Sequence, residues 1–192
     1  MYNPYIDTKL TTDLILKPNE ITNIESNLYI TLVNKLNKKC YQDIGYIDKI
    51  YKITKIPDGC LINEDFSGVI HYKNVQFECR ICKPINENII TCKITTIEPH
   101  KIALAEHGPL KFLILLNNET YNKKNFIFDN NTHQLYSIIS DNKGKKIDNT
   151  SYVNVKIQQS KCINNSPIFI SLGYLYSIAS DEDIKFYHSL NT

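Results

Sequence analysis

The strictest pattern in the chain runs through residues 75–82. Val75, Phe77, Cys79 and Ile81 alternate with Gln76, Glu78, Arg80 and Cys82, and Lys83-Pro84 ends the run. A period of two belongs to a β-strand, whose successive side chains point to opposite faces. An apolar set on one face and a mostly polar set on the other predict a half-buried antiparallel strand. The same alternation bears on the Cys79-Arg-Ile-Cys82 stretch. Two residues three apart on a strand face opposite ways, whereas a zinc half-site needs a tight turn with both sulfurs converging, and a redox pair opens a helix. Arg80 and Ile81 are not turn formers, and the nearest further donors are Cys92 and His100. Buried strand thiol is the reading adopted for Cys79. A Cys-based metalloprotein stands as an alternative that metal analysis of chelator-free protein would decide.

Around that strand the chain divides by pattern. "TTDLILKP" (11–18) reads as a short strand ending at Pro18, which cannot donate to a sheet ladder. In residues 19–39, Ile21, Ile24, Leu28, Leu32 and Leu36 recur every three or four positions, the stripe of a helix packed on a sheet. Glu20 and Glu25 near its start and Lys35, Lys38 and Lys39 near its end suit the helix dipole. Ile47, Ile50, Ile53 and Ile56 sit three apart. β-Branching still favours one long or bulged strand there. Pro57-Asp58-Gly59 reads as a turn, residues 62–68 as a second loop, and 83–88 as a hinge.

Beyond the hinge, strands are expected at 89–97, with Ile90, Cys92 and Ile94 on one face, then at 101–106, 110–116, 151–162 and 167–179. Phe112 is expected to point inward with Leu110 and Ile114. His107-Gly-Pro reads as a turn. Residues 117–150 are polar with two apolar islands and read as an elaborated connection, and Asp181-Glu-Asp as a solvated acidic tail. Five strands with an irregular connection after the third suit an OB-fold, a five-stranded Greek-key barrel that often binds oligonucleotides. The predicted fold class is therefore α+β. An N-terminal domain (1–83), a helix on a small antiparallel sheet, precedes a C-terminal OB-type barrel (84–192).

Composition narrows function mainly by exclusion. Net charge is +2 over 192 residues, so any nucleic-acid contact must rest on a local patch. The longest apolar run, Phe112–Leu116, is far short of the roughly 20 residues of a membrane span. No signal peptide is expected from the first ten residues, so the six cysteines are read as reduced thiols of an intracellular, reducing compartment. The five histidines are scattered, no serine has a nucleophile-elbow context, and Gly144-Lys-Lys lacks the glycine spacing of a phosphate loop. No catalytic site, metal or cofactor is expected. Thirty Ile, 22 Asn and 21 Lys against one Arg point to an A+T-rich genome.

Read in order, "IGYIDKIYKITKIPDGCLI" and "SGVIHYKNVQFECRICKPINENIITCKITTIEPHKIALAEHGPLKFLI" resemble the stalk subunit of multisubunit DNA-directed RNA polymerases, the family of the seventh subunit of eukaryotic RNA polymerase II and the archaeal E subunit. In that family a helix-bearing tip domain ends in a strand with a Lys-Pro step, and a barrel with a Gly-Pro turn follows. Lys83-Pro84 and His107-Gly108-Pro109-Leu110 occupy those places. The chain departs from the pattern at Asn86, Asn88 and Thr91, where glycines are usual, and in "KIALAE", which lacks the usual aromatic. The resemblance implies a non-catalytic subunit whose tip domain docks on the large polymerase subunits through Pro18, Asn19, Glu20, Pro57, Asp58 and Gly59. It also implies a barrel that touches nascent single-stranded RNA, for which Lys93, Lys101 and Lys111 are the candidates, each equally readable as a solubilising surface lysine. A helical stalk partner subunit is expected along the junction of the two domains. The location implied is the nucleus or, for the large DNA virus that the composition fits, the cytoplasmic viral factory and virion. The rival reading is a free-standing OB-fold that binds single-stranded RNA.

Overall fold

The computed structural model describes residues 2–41, 43–61, 68–116, 125–139 and 142–190. The chain divides into two compact units. The first comprises Tyr5–Lys83 with Ile163–Pro167, and the second Met1–Pro4, Pro84–Cys162 and Ile168–Thr192.

In the first unit, β1 (Tyr5–Leu16) leads through a 3-10 helix (Pro18–Asn23) into α1 (Ile24–Leu36). Then come β2 (Lys39–Tyr41), β3 (Gly45–Lys55), β4 (Cys60–Leu61) and β5 (Ile70–Cys82). The sheet order is β1-β5-β3-β2, antiparallel throughout, with β4 pairing the start of β5. β5 is the alternating strand of the sequence, and its apolar face carries the core. Val75, Phe77, Cys79 and Ile81 pack with Leu28, Leu32 and Leu36 of α1, and with Leu14, Leu16, Ile47 and Ile50. Cys82 is fully buried but lies outside that cluster, as the opposite parity requires.

The three-residue spacing of isoleucines in β3 has a register explanation. Ile47, Ile50 and Ile53 stand opposite Ile81, Cys79 and Phe77, while Lys49, Lys52 and Lys55 stand opposite Arg80, Glu78 and Gln76. Asp48, Tyr51 and Thr54 have no partner on β5, because the register slips at each. Three residues of β3 thus match two of β5, one bulge per repeat, and a period of three keeps every isoleucine on the core face.

Several boundaries differ from the sequence expectation. The first strand is twelve residues long and begins at Tyr5, not Thr11. Its first half contains no buried residue, so no apolar alternation marks it, and pairing along β5 from Cys82 to Ile70 supplies the extension. The α-helix begins at Ile24, and Ile21 falls in the 3-10 turn before it. Only Leu28, Leu32 and Leu36 of the stripe are fully buried. Residues 56–59 form no hydrogen-bonded turn. The loop expected at 62–68 lies, but for Gly68, outside the described residues.

The second unit holds β6 (Ile89–Glu98), β7 (Ile102–His107), β8 (Leu110–Leu115), β9 (Phe126–Asp129), β10 (Gln134–Ile139), β11 (Asn142–Ile147), β12 (Tyr152–Lys161), β13 (Phe169–Ile178) and α2 (Asp181–Leu190). β6, β7, β8, β13 and β12 close into a barrel in that order, with β13 parallel to β8 and all other pairs antiparallel. Three strands in sequence, then the fifth beside the third and the fourth closing onto the first, is the OB-type Greek key. Inward positions are filled by Ile90, Cys92, Ile94, Ala103, Ala105, Leu110, Phe112, Ile114, Val153 and Val155, all fully or nearly fully buried. Gly173 sits where β13 crosses close to β12. A Cβ there would lie 2.5 Å from Val155 Cγ1 and 3.0 Å from the Lys156 carbonyl oxygen, so only glycine fits.

The connection read as irregular contains a three-stranded antiparallel sheet, β11-β10-β9. It is pinned by buried Phe126, Leu135 and Ile147. The rest of that connection, 117–124 and 140–141, lies outside the described residues. The acidic tail is also corrected: Asp181-Glu-Asp is the first turn of α2. Ser180 and Asp183 form a reciprocal cap, with Ser180 N–H donating to Asp183 Oδ2 at 2.9 Å and Asp183 N–H donating to Ser180 Oγ at 3.3 Å. No helix among the described residues is long and apolar enough to cross a membrane.

Candidate functional site

The candidate docking residues of the first unit sit beside the start of β5. Leu16 and Leu61 pair with Ile70 from either side, so the segments next to them, 18–20 and 57–59, flank the same stretch of sheet. Pro18 and Asn19 are exposed. Glu20 turns back, its Oε2 accepting the Lys17 N–H at 2.9 Å while its own N–H donates to the Lys17 carbonyl. Its side chain is thereby engaged in local structure, and Asn19 offers the freer surface. Asp58 is exposed. Gly59 is held by packing, since a Cβ there would lie 2.5 Å from Ile70 Cγ2 and 2.9 Å from Tyr72 Cζ.

On the opposite sheet face a charged group forms around a bulge. Asp48, one of the unpaired residues of β3, is 6% exposed. Its Oδ1 accepts from Lys38 Nζ at 2.8 Å and its Oδ2 from Arg80 Nε at 2.6 Å, with Arg80 Nη2 on the same oxygen. Burial pushes the Asp48 carboxyl up, and the hydrogen bonds from Lys38 and Arg80 more than offset this, leaving it below the usual range. The Arg80 guanidinium also lies over the Tyr5 ring, 4.8 Å from its centroid. Next along the sheet, Glu78 bridges Lys9 and Lys52, each at 3.3 Å.

The cysteines of the opening motif are inert in this setting. Burial pushes the Cys79 thiol up to about 11 and raises that of Cys82, with Asp7 and Asp48 respectively adding to the effect. Cys92, inside the barrel, is likewise raised by burial. None offers a thiolate at neutral pH, and no three His, Cys, Asp or Glu side chains converge among the described residues.

On the barrel, the three candidate lysines do not form one patch. Lys93 stands opposite Glu106, and Glu106 stands opposite Lys111. Lys111 is ion-paired with Glu106. Lys101 lies in the β6–β7 turn with a left-handed backbone (φ 61°), its carbonyl accepting the Leu116 N–H at 2.7 Å. At ~3.3 Å per residue it is roughly 16 Å along β7 from Glu106. The outward positions of β7 and β8 are Ile102, Leu104, Glu106, Lys111, Leu113 and Leu115, none aromatic, and Phe112 is buried inside. A base-stacking platform of the kind that holds single strands is not on these two strands. Exposed cross-strand pairing, which places Glu106 between the lysines, has no local sequence signal.

A polar network that sequence reasoning missed ties α2 to the barrel. Thr91 Oγ1 donates to Asn154 Oδ1 at 2.9 Å. Asn154 Nδ2 donates to Ser177 Oγ and to Asp183 Oδ2, each at 3.0 Å. Tyr187 packs edge-on against His107 and Tyr152. His107 ends β7 and pairs with Leu110 across the Gly108-Pro109 turn, as the turn at a strand end predicts; its ring is buried, with Nδ1–H donating to the Thr91 carbonyl at 2.7 Å. Burial lowers its pKa, and the hydrogen bond to Thr91 only partly offsets this. The readable signal for this element was the Ser180-x-x-Asp183 spacing of a capping box.

No protein-family model matches the chain. It is 28% identical over 186 residues to a protein of Acanthamoeba polyphaga mimivirus described as "Putative DNA-directed RNA polymerase subunit", an alignment covering 95% of this chain and 87% of that one.

Proposed function

We propose that this chain is a non-catalytic subunit of a DNA-directed RNA polymerase, its stalk subunit, encoded by a large DNA virus and working in the viral factory and virion. The observation that carries the reading is the similarity to the mimivirus protein along nearly the whole chain. The OB-type barrel following a helix-on-sheet unit supports it, because that is the order the stalk resemblance implies. In this reading the first unit docks on the large subunits through the surface next to the start of β5, with the exposed polar side chains of Asn19 and Asp58 making contact and Pro18, Glu20, Pro57 and Gly59 shaping it. A helical stalk partner completes the assembly. The barrel lies near the emerging transcript, where Lys93, Lys101 and Lys111 touch RNA through phosphates alone.

Tagging the chain and purifying it from producing cells tests this. The large polymerase subunits are expected to co-purify, and Asn19→Lys with Asp58→Lys is expected to release them while the chain stays folded. A wild-type chain recovered without large subunits, bound only to RNA, would instead identify a free-standing OB-fold protein.

A further inference from the structure

The helix α2 covers a polar part of the barrel wall. The register sets Thr91 beside Asn154 and Asn154 beside Ser177, a row across β6, β12 and β13, with Lys93 beside Tyr152 in the next row. Alternation puts these side chains on the outside of a wall whose inside is filled by Ile90, Cys92, Val153 and Val155. Thr91 and Asn154 are nevertheless buried. Asn154 Nδ2 donates to Asp183 Oδ2 of α2 at 3.0 Å, and the Tyr187 and His188 rings of α2 stand edge-on to Tyr152. A surface helix normally buries an apolar stripe. α2 fully buries one of its ten residues, Tyr187, and lays a carboxylate on an asparagine. The surface beneath it carries hydroxyls, a carboxamide and a tyrosine ring.

We propose that α2 is a displaceable lid over a surface that takes the bases of single-stranded RNA, made by Thr91, Tyr152, Asn154 and Ser177 beside Lys93. The inference rests on the RNA contact proposed above and gives it a place for bases, away from the outer faces of β7 and β8, which carry no aromatic. A tyrosine ring stacks on any base, and hydroxyls and a carboxamide offer both donors and acceptors to base edges. Lys93, directly opposite Tyr152, sets a phosphate contact next to the stacking ring. A protein partner would look for apolar surface at the centre of its interface, which this row lacks. In the closed state α2 stands in for the ligand. The Asp183 carboxylate occupies the Asn154 amide, and Tyr187 meets Tyr152 with ring centroids 5.2 Å apart. Asp181, Glu182 and Asp183 in the first turn of α2 place negative charge over the face and repel a phosphate chain. Opening is local, because α2 follows β13 through Ala179 and Ser180 alone. Water can solvate the polar row once it is uncovered, so the main apolar hold on the lid is the Tyr187 ring.

Binding of a fluorescently labelled oligouridine to the full chain, at fixed salt, tests the lid. Tyr187→Ala combined with Asp183→Ala removes its two holds and leaves the face beneath intact. That variant is expected to show faster amide exchange over 181–190 and to bind the oligouridine about tenfold more tightly than wild type. Adding Tyr152→Ala is expected to cancel the gain, which a mere loss of negative charge would not explain. Ser180→Ala, which loosens only the cap, is the milder variant should the pair disturb the barrel, with a smaller gain in the same direction. Release of α2 with no gain in affinity, a gain that survives Tyr152→Ala, or exchange over 181–190 that stays at the wild-type rate would each overturn the proposal. RNA bound equally by wild type and variant defeats the lid alone, whereas RNA bound by neither defeats the RNA contact as well.

Discussion

Arg80, the single arginine of the chain, shows how one side chain can be fixed by what its neighbours leave unpaired. The bulge at Asp48 turns a carboxylate into the sheet surface, where it is nearly buried and needs more than one donor. Arginine supplies two nitrogens in a fixed fork, and Lys38 completes the set. Removing the acceptor charge by Asp48→Asn is expected to cost about 2 kcal/mol at pH 7. Because the folded pKa of Asp48 is lowered, its stabilisation is fully present above the ordinary aspartate value of about 3.9 and disappears as pH falls through the folded value. Urea denaturation should therefore show a gap between wild type and Asp48→Asn at pH 7 that shrinks below about pH 4; a constant gap would mean that Asp48 acts by shape alone. Gly59 makes a separate prediction. With Ile70 and Tyr72 occupying its Cβ space, Gly59→Ala should lower stability by about 1–3 kcal/mol. An unchanged midpoint would show that the segment shifts freely.

At the scale of elements, α2 rests on the barrel through a cap, one buried ring and a short polar chain. Ser180→Ala should destabilise the helix by about 1 kcal/mol, read as faster amide exchange over 181–190 with β6 and β12 still protected. Loss of protection throughout the barrel would contradict a local role. How each element could be read depends on whether its signal is local. The Leu28, Leu32, Leu36 stripe and the alternation of β5 are burial patterns written in consecutive residues, so the helix, the sheet and the five barrel strands were legible, and the isoleucines of β3 correctly pointed to a bulged strand. β1 was half missed because pairing with β5, not burial, holds its exposed first half. β9 to β11 are short, and among the described residues Phe126, Leu135 and Ile147 are their buried apolar side chains. α2 had a local signal in its capping box, overlooked beside the acidic run. For the candidate site the division is sharper. Lys93 and Lys111 could be named from alternation, whereas Lys101 falls in the turn before β7; Glu106 between Lys93 and Lys111, and the Thr91, Asn154 and Ser177 row across β6, β12 and β13, are products of cross-strand register and invisible to any single segment.

For the whole molecule, charge and shape limit what RNA contact can be. A net charge of +2 and the ion pair on Lys111 limit the attraction that the three candidate lysines can exert on phosphates. With three phosphates at most, the slope of log affinity against log salt for single-stranded RNA should be near −2, at ~0.7 per phosphate. Glu106→Gln should steepen it by freeing Lys111, while a salt-independent signal would rule out the lysine contacts. The central claim concerns assembly, with one unit for docking and a barrel bearing a second surface. Native mass spectrometry of the endogenous complex purified through this chain addresses it most directly. The account predicts a particle containing the large polymerase subunits with one copy of this chain and one helical partner. A chain recovered alone, as a homo-oligomer, or with RNA and no large subunits would contradict it.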